Sequence, residues 1–226
     1  LRVADIGQVH LDLAHVAIFR EWVRRSGLNR EREGILFDAL QRKALPEIRE
    51  WVLTWALPES YSQLLLALAE LHGGPEVLDE ADERLATAGE GVREALAMLR
   101  RLVTALQQQW PALPIHVDLA ELRGYHYHTG VVFAAYVPGQ GQAVAQGGRY
   151  DEIGQVFGRA RPATGFSADL VTLLRLGSAP ESVNAGIYAP PLGDVALEQC
   201  VMALREQGER VIRALPGAAV TPETLG

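Results

Sequence analysis

The sequence is short of three things: cysteine, long apolar runs and positive charge. Cys200 is the sole cysteine among 226 residues, so no disulfide can close within the chain. A reducing cytoplasm is the simplest setting for such a protein. No apolar run approaches the ~20 residues that a membrane-spanning helix needs, and no signal-peptide pattern opens the chain. A membrane partner is therefore not expected. Lys and Arg number 21 against 28 Asp and Glu, a formal net charge of −7. An acidic chain is a poor electrostatic match to a phosphate backbone, which argues against nucleic acid as partner. Metal-site patterns are missing too. No HExxH occurs, and His126 and His128, two apart with no cysteine near them, lack the further ligands a zinc site needs. Neither a metal nor another cofactor is expected.

What is present has the composition of a globular protein, 48% hydrophobic and 22% charged, with length for one large domain or two small ones. The chain opens on Leu1 and directly on a strand-like segment, as a piece of a longer protein would. Residues 3–13 alternate in part, which predicts a half-buried strand. His15, Val16, Phe19, Trp22 and Val23 then fall at helical spacing, with Gly27 as stop. His10 and His15, at this junction, read as packing or hydrogen-bonding residues. Residues 28–110 are nearly all helical in pattern. Asn29 is placed to cap one helix, and Pro46 suits the first turn of the next. Ser60 with Gln63 predicts a capping box ahead of the run 64–71, which Gly73-Gly74 ends. Residues 75–88 read as a charged surface helix stopping at Gly89. Val92, Leu96, Leu99, Val103, Leu106 and Trp110 form a helical seam. Trp22, Trp51, Trp55 and Trp110 read as core rather than as a ligand cage.

A second strand is predicted over 115–119. The richest stretch follows. Residues 125–137 read as a strand, 138–141 (Pro-Gly-Gln-Gly) as a turn, and 143–145 as its return, together a β-hairpin. On such a strand His126 and His128 share one face and Tyr127 takes the other; the pattern leaves open which face is wet. The paired Gly147-Gly148 and the later Gly165 allow close backbone approach. A small polar ligand lying across the sheet would meet Arg123, Tyr127, His128 and Tyr150. Arg123 either pairs a ligand carboxylate or forms a structural ion pair with Asp151 or Glu121. Arg149 reads as holding its own loop, and Arg159 and Arg161 as solvated. Residues 177–184, with Pro180, read as a linker. Strand 186–189, helix 195–207 with Gly208 as stop, and strand 210–215 then make a βαβ-like unit before a loose tail, 216–226.

The order LRGYHYHTGVVF (122–133), GGRYD (147–151) and ATGF (163–166) resembles the catalytic domain of histidyl-tRNA synthetases, whose typical forms are RGLDYYTGTVFE, GGRYDGL and GFAxGxER. The resemblance is strongest over 115–176. It implies an α+β fold: a class II synthetase-like antiparallel sheet with flanking helices (1–27 and 111–176), a helical insertion (28–110) and a short C-terminal segment (177–226). The departures are systematic. Ala134 stands for the glutamate after the phenylalanine, and Val171-Thr172 for the Glu-Arg pair of the third motif. That arginine neutralises ATP phosphates in class II synthetases, and threonine has no cationic head. About forty residues follow the linker, too few for the synthetases' anticodon module. The sequence thus looks most like the regulatory subunits of ATP phosphoribosyltransferase, a paralogous family. That resemblance implies a non-catalytic protein that activates the short-form catalytic subunit in the first step of histidine biosynthesis. It also implies histidine as effector, and self-assembly within a hetero-oligomer. Arg123, Tyr127, His128 and Tyr150 would be the remnant of the amino-acid pocket, with His128 where synthetases carry a tyrosine. A divergent histidyl-tRNA synthetase and a stand-alone histidine sensor are the alternatives.

Overall fold

A computed structural model describes residues 6–177, 186–191 and 195–214. The chain divides into two compact units, Leu1–Leu176 and Gly177–Gly226. The predicted strand start at residue 3, the linker around Pro180, Leu215 and the tail 216–226 lie outside the described residues.

The first unit begins with β1 (His10–His15) and α1 (Ala17–Ser26). Gly27 ends α1 in the left-handed region, at φ 68°, where a side chain would be strained. In α2 (Arg30–Gln41) the Asn29 side chain accepts the Arg32 N–H at 2.9 Å, the cap its position predicted. Pro46 lies in the first turn of α3 (Leu45–Thr54), where its missing N–H costs nothing. The capping box predicted for α4 (Glu59–Glu70) does not form. The helix starts at Glu59, so Ser60 already lies inside the first turn, and Gln63 Nε2 donates instead to Glu59 Oε1 at 2.8 Å. Gly73-Gly74 does not end this helix either. Glu70 is its last residue, and His72–Gly73 forms a short edge strand, β2.

The predicted surface helix is α5 (Val77–Arg84), and it buries Val77, Leu78 and Ala81 beneath its charges. In α6 (Glu90–Gln109) the seam Val92, Leu96, Leu99 and Val103 is buried. Trp110 breaks the expectation of four core tryptophans: it lies past the last turn of α6 and is 38% exposed. Trp22 is buried and donates to the Tyr61 carbonyl at 3.0 Å, while Trp51 and Trp55 stack at 5.4 Å, half-buried.

The chain then returns to the sheet through β3 (Ile115–Asp118), β4 (Val131–Tyr136), β5 (Ala145–Arg149) and β6 (Thr164–Ala168), and closes the unit with α7 (Leu170–Leu176). The strand order is β2-β3-β1-β4-β5-β6, with β1 and β3 parallel and the other pairs antiparallel. The hairpin is present, but its return strand is 145–149 and carries both glycines within it. The larger correction concerns residues 125–130. They form a turn, not the first half of a strand, so His126 and His128 do not share a strand face. Gly124, at φ 65°, starts that turn, and its carbonyl accepts the N–H groups of both Tyr127 and His128 at 2.8 Å. One continuous core joins Leu13 and Ala14 of β1, Phe19 and Trp22 of α1, the apolar faces of α2 to α6, and Leu122 and Tyr125 of the turn. In the second unit β7 (Ile187–Ala189) pairs in parallel with β8 (Val211–Arg213), and α8 (Val195–Glu206) connects them.

Candidate functional site

Side chains alternate across a strand, so the register of the sheet decides which residues share a surface. Asp12, Ala134, Gln146 and Ser167 fall in one cross-strand row over β1, β4, β5 and β6. Ala14, Val132, Gly148 and Gly165 fall in a second row on the same face. The glycines of that second row have a definite use. A methyl group on Gly148 would strike the His128 ring, and one on Gly165 the Tyr150 hydroxyl. Both rings lie on the sheet because no side chain stands beneath them.

Above these rows lies a cavity of about 470 Å³, and all four residues singled out in the sequence line it: Arg123, Tyr127, His128 and Tyr150. Tyr127 and Tyr150 lie with ring centroids 4.9 Å apart, and His128 meets Tyr127 edge-on at 5.3 Å. Arg123 pairs with Glu121 at 3.3 Å, one of the two partners foreseen for it, and donates to the Tyr136 hydroxyl at 2.7 Å. Asp151 pairs instead with Arg149 at 2.9 Å, so Arg149 does hold its own loop. Sequence reasoning missed Asp12, Gln146 and Ser167 as lining residues. The alternation around Leu11-Asp12-Leu13 separates Asp12 from its apolar neighbours, but only the pairing with β4 puts it on the cavity side.

The turn bearing Tyr127 and His128 is anchored from a distance. Arg20 of α1 donates to the carbonyls of Tyr125 and His128, at 2.7 and 2.9 Å, and lies over the Tyr125 ring. The Tyr125 hydroxyl in turn donates to Glu33 of α2 at 2.8 Å, and burial followed by that carboxylate raises its pKa. A charged donor shared by two carbonyls holds a turn more firmly than neutral bonds would.

His15 belongs to the opposite face of the sheet, in register with Val131. Burial first, then Arg149 and Arg20, lowers its pKa from 6.5 to about 4, and its Nδ1 is buried without a hydrogen-bond partner among the described residues. The folded state therefore holds His15 neutral while the unfolded chain takes up a proton below pH 6.5. Stability is fully present above pH 6.5 and is lost as pH falls toward about 4. The loss from this group is roughly 3 kcal/mol at ~1.4 kcal/mol per pKa unit. In His15→Leu, urea unfolding between pH 7 and 4 is expected to show a correspondingly flatter pH dependence. An unchanged slope would refute this account of His15.

Among the described residues no group of three or more His, Cys, Asp or Glu could hold a metal ion, and no helix is long and apolar enough to cross a membrane. The sheet, its flanking helices and the cavity on one face define a class II synthetase-like α+β domain. Two of the solved structures that share this fold illustrate it. One is an ATP phosphoribosyltransferase regulatory subunit/histidyl-tRNA synthetase from Bacillus halodurans C (TM-score 0.72, 24% identity, covering 98% of this chain and 57% of that one). The other is a histidyl-tRNA synthetase from Nostoc sp. PCC 7120 (TM-score 0.66, 18% identity, covering 98% and 56%). The family described as histidyl-tRNA synthetase matches residues 1–173, and the ATP phosphoribosyltransferase subunit HisZ C-terminal domain matches residues 184–226. Curated relatives named ATP phosphoribosyltransferase regulatory subunit include those of Thioalkalivibrio sulfidiphilus (53% identical over 100% of this chain and 57% of the relative) and Pseudomonas syringae pv. tomato (54%, over 98% and 56%). The chain belongs to the histidyl-tRNA synthetase family and, within it, to the ATP phosphoribosyltransferase regulatory subunits. It spans somewhat more than half the length of the curated relatives it matches.

Proposed function

We propose that this protein activates the short-form catalytic subunit of ATP phosphoribosyltransferase, in the first step of histidine biosynthesis, and carries histidine feedback without catalysing a reaction itself. The observation that carries this reading is the identity of 53–54% to regulatory subunits along essentially all of the chain. A neighbour in fold from Thermotoga maritima is a HisG:HisZ complex (TM-score 0.53, 17% identity), which illustrates the kind of assembly intended. Regulation is then a coupling free energy between a histidine site and a subunit interface. In this reading Arg123, Tyr127, His128 and Tyr150 bind histidine, the protein associates with itself and with the catalytic subunit, and both work in the cytoplasm.

Thr172, at the position matching the synthetases' ATP arginine, supports a non-catalytic role. Its hydroxyl donates to Asp169 Oδ2 at 2.8 Å, and Asp169 Oδ1 accepts the Val171 N–H at 3.0 Å at the start of α7. The residue closes a helix cap and offers no positive charge to a phosphate. The family match over 1–173 keeps one second reading in view, an active histidyl-tRNA synthetase.

A transferase assay separates the two. Short-form catalytic subunit mixed with the full-length protein is expected to form phosphoribosyl-ATP at least tenfold faster than alone, and histidine is expected to suppress the rise. No stimulation and no complex on gel filtration would refute the proposal. Histidine-dependent ATP–pyrophosphate exchange would then establish the synthetase.

A further inference from the structure

The charges around the cavity do not balance among themselves. Among the described residues three charged side chains line it: Asp12, Glu121 and Arg123. Glu121 and Arg123 satisfy each other. Glu121 accepts the Arg123 backbone N–H at 2.7 Å through Oε1 and faces the guanidinium at 3.3 Å through Oε2. Asp12 has no such partner. Among the described residues no hydrogen bond reaches its carboxylate, and its nearest basic neighbour is His116 Nδ1, 3.5 Å away on the neighbouring strand β3. Burial raises the Asp12 pKa, and His116 and Arg123 only partly oppose this. A half-buried carboxylate held this way is costly until an opposite charge arrives.

Its position in the sheet adds direction. Asp12 heads the row that continues through Ala134 to Gln146 and Ser167, so the cavity floor runs from an anion, past a small apolar step, to an amide and a hydroxyl. Arg123 and the rings of Tyr127, His128 and Tyr150 lie with this floor around the same cavity. A ligand with a cationic group at one end of the floor would relieve Asp12. Its carboxylate would remain within the reach of Arg123, and its ring would stack on the tyrosines.

We infer that Asp12 is a specificity-determining residue of this cavity, receiving the ammonium group of a small zwitterionic or cationic ligand through a charge-assisted hydrogen bond. The inference rests on the proposal that the cavity binds histidine, and adds the group that selects an amino acid over the corresponding amine-free acid.

The test compares histidine with imidazole-4-propionate, which keeps the ring and carboxylate and lacks the amine, by calorimetric titration of the full-length protein and its D12N variant. The wild type should bind histidine more tightly than imidazole-4-propionate. In D12N, histidine affinity should fall roughly 10- to 100-fold, the usual span for a lost hydrogen bond to a charged group. Affinity for imidazole-4-propionate should stay the same or rise. Equal losses for both ligands would make Asp12 a structural residue only and overturn the inference. So would a histidine affinity that D12N leaves untouched. Should D12N fail to fold, judged by its thermal melt, the wild-type preference alone decides: equal affinity for the two ligands overturns the inference. A wild type that binds neither ligand removes the histidine proposal itself, and the inference with it.

Discussion

Arg123→Ala is expected to abolish histidine feedback while leaving activation of the transferase in place. Among the described residues Arg123 is the one cation lining the cavity, and it neutralises Glu121 while donating to Tyr136. Without it the cavity holds two carboxylates and no counter-charge, and a ligand carboxylate meets repulsion where it had a fork of donors. Arg123 is about a third exposed here, and a bound ligand would cover it; truncating one member of a charge pair buried in that way costs about 2–5 kcal/mol of binding, or a factor of roughly 30 to several thousand. Histidine inhibition in the transferase assay should therefore move beyond accessible concentrations. Tyr136, the last residue of β4, keeps its pairing with His10 of β1, so the fold should survive. Retained inhibition at an unchanged histidine concentration would remove Arg123 from the site. Loss of activation together with inhibition would instead place Arg123 in the path to the partner subunit.

Phe19→Ala is expected to lower stability by about 3–5 kcal/mol, the range for truncating a fully buried phenylalanine. Phe19 is 0% exposed on α1, stacks with Trp22 at 6.1 Å and packs against Tyr125 at 5.5 Å. Its neighbours cannot collapse into the space, because Trp22 is tied to the Tyr61 carbonyl and Tyr125 to Glu33. For a chain of this length the loss corresponds to a fall in Tm on the order of 10 °C, read by calorimetry. The same change should loosen the turn that carries Tyr127 and His128. Histidine affinity is then expected to fall although Phe19 does not line the cavity. A loss under about 1 kcal/mol would mean that the site repacks and that Phe19 is not the keystone of this core.

The two substitutions mark the difference between what lines the cavity and what holds the lining in place. Arg123 was legible in the sequence because it lies inside a motif. The supports, Arg20 and Phe19, were not: Arg20 reaches carbonyls 105 and 108 residues away, and no local pattern records such a bond. That same long-range anchor explains the failed strand over 125–130. Tyr125, Tyr127 and Thr129 have residue types that favour a pleated surface. The glycine at 124 and the donors of Arg20 offer their backbone a compact turn instead, and the tertiary contacts win. Ser60 and Gln63 failed for a smaller reason. The cap falls at Pro58, two residues before Ser60, and a shift that small takes a capping residue off the cap; the local energies are too close for sequence to fix that residue.

By itself the sequence determined the helical block over most of 28–110, the hairpin, the parallel βαβ-like segment and the four residues that meet around one cavity. These follow from periodicity, caps, turn glycines and contiguous motifs, which act over a few residues. The tertiary structure alone decided that Asp12, Gln146 and Ser167 share the cavity floor, that the glycines at 148 and 165 leave room for the rings of His128 and Tyr150, and that Trp110 stays partly exposed outside the core. The physical reason is register. Side chains alternate with a period of two along every strand, so a single residue of slip between β1 and β4 would turn Asp12 away from the cavity, and that pairing is set by contacts more than a hundred residues apart.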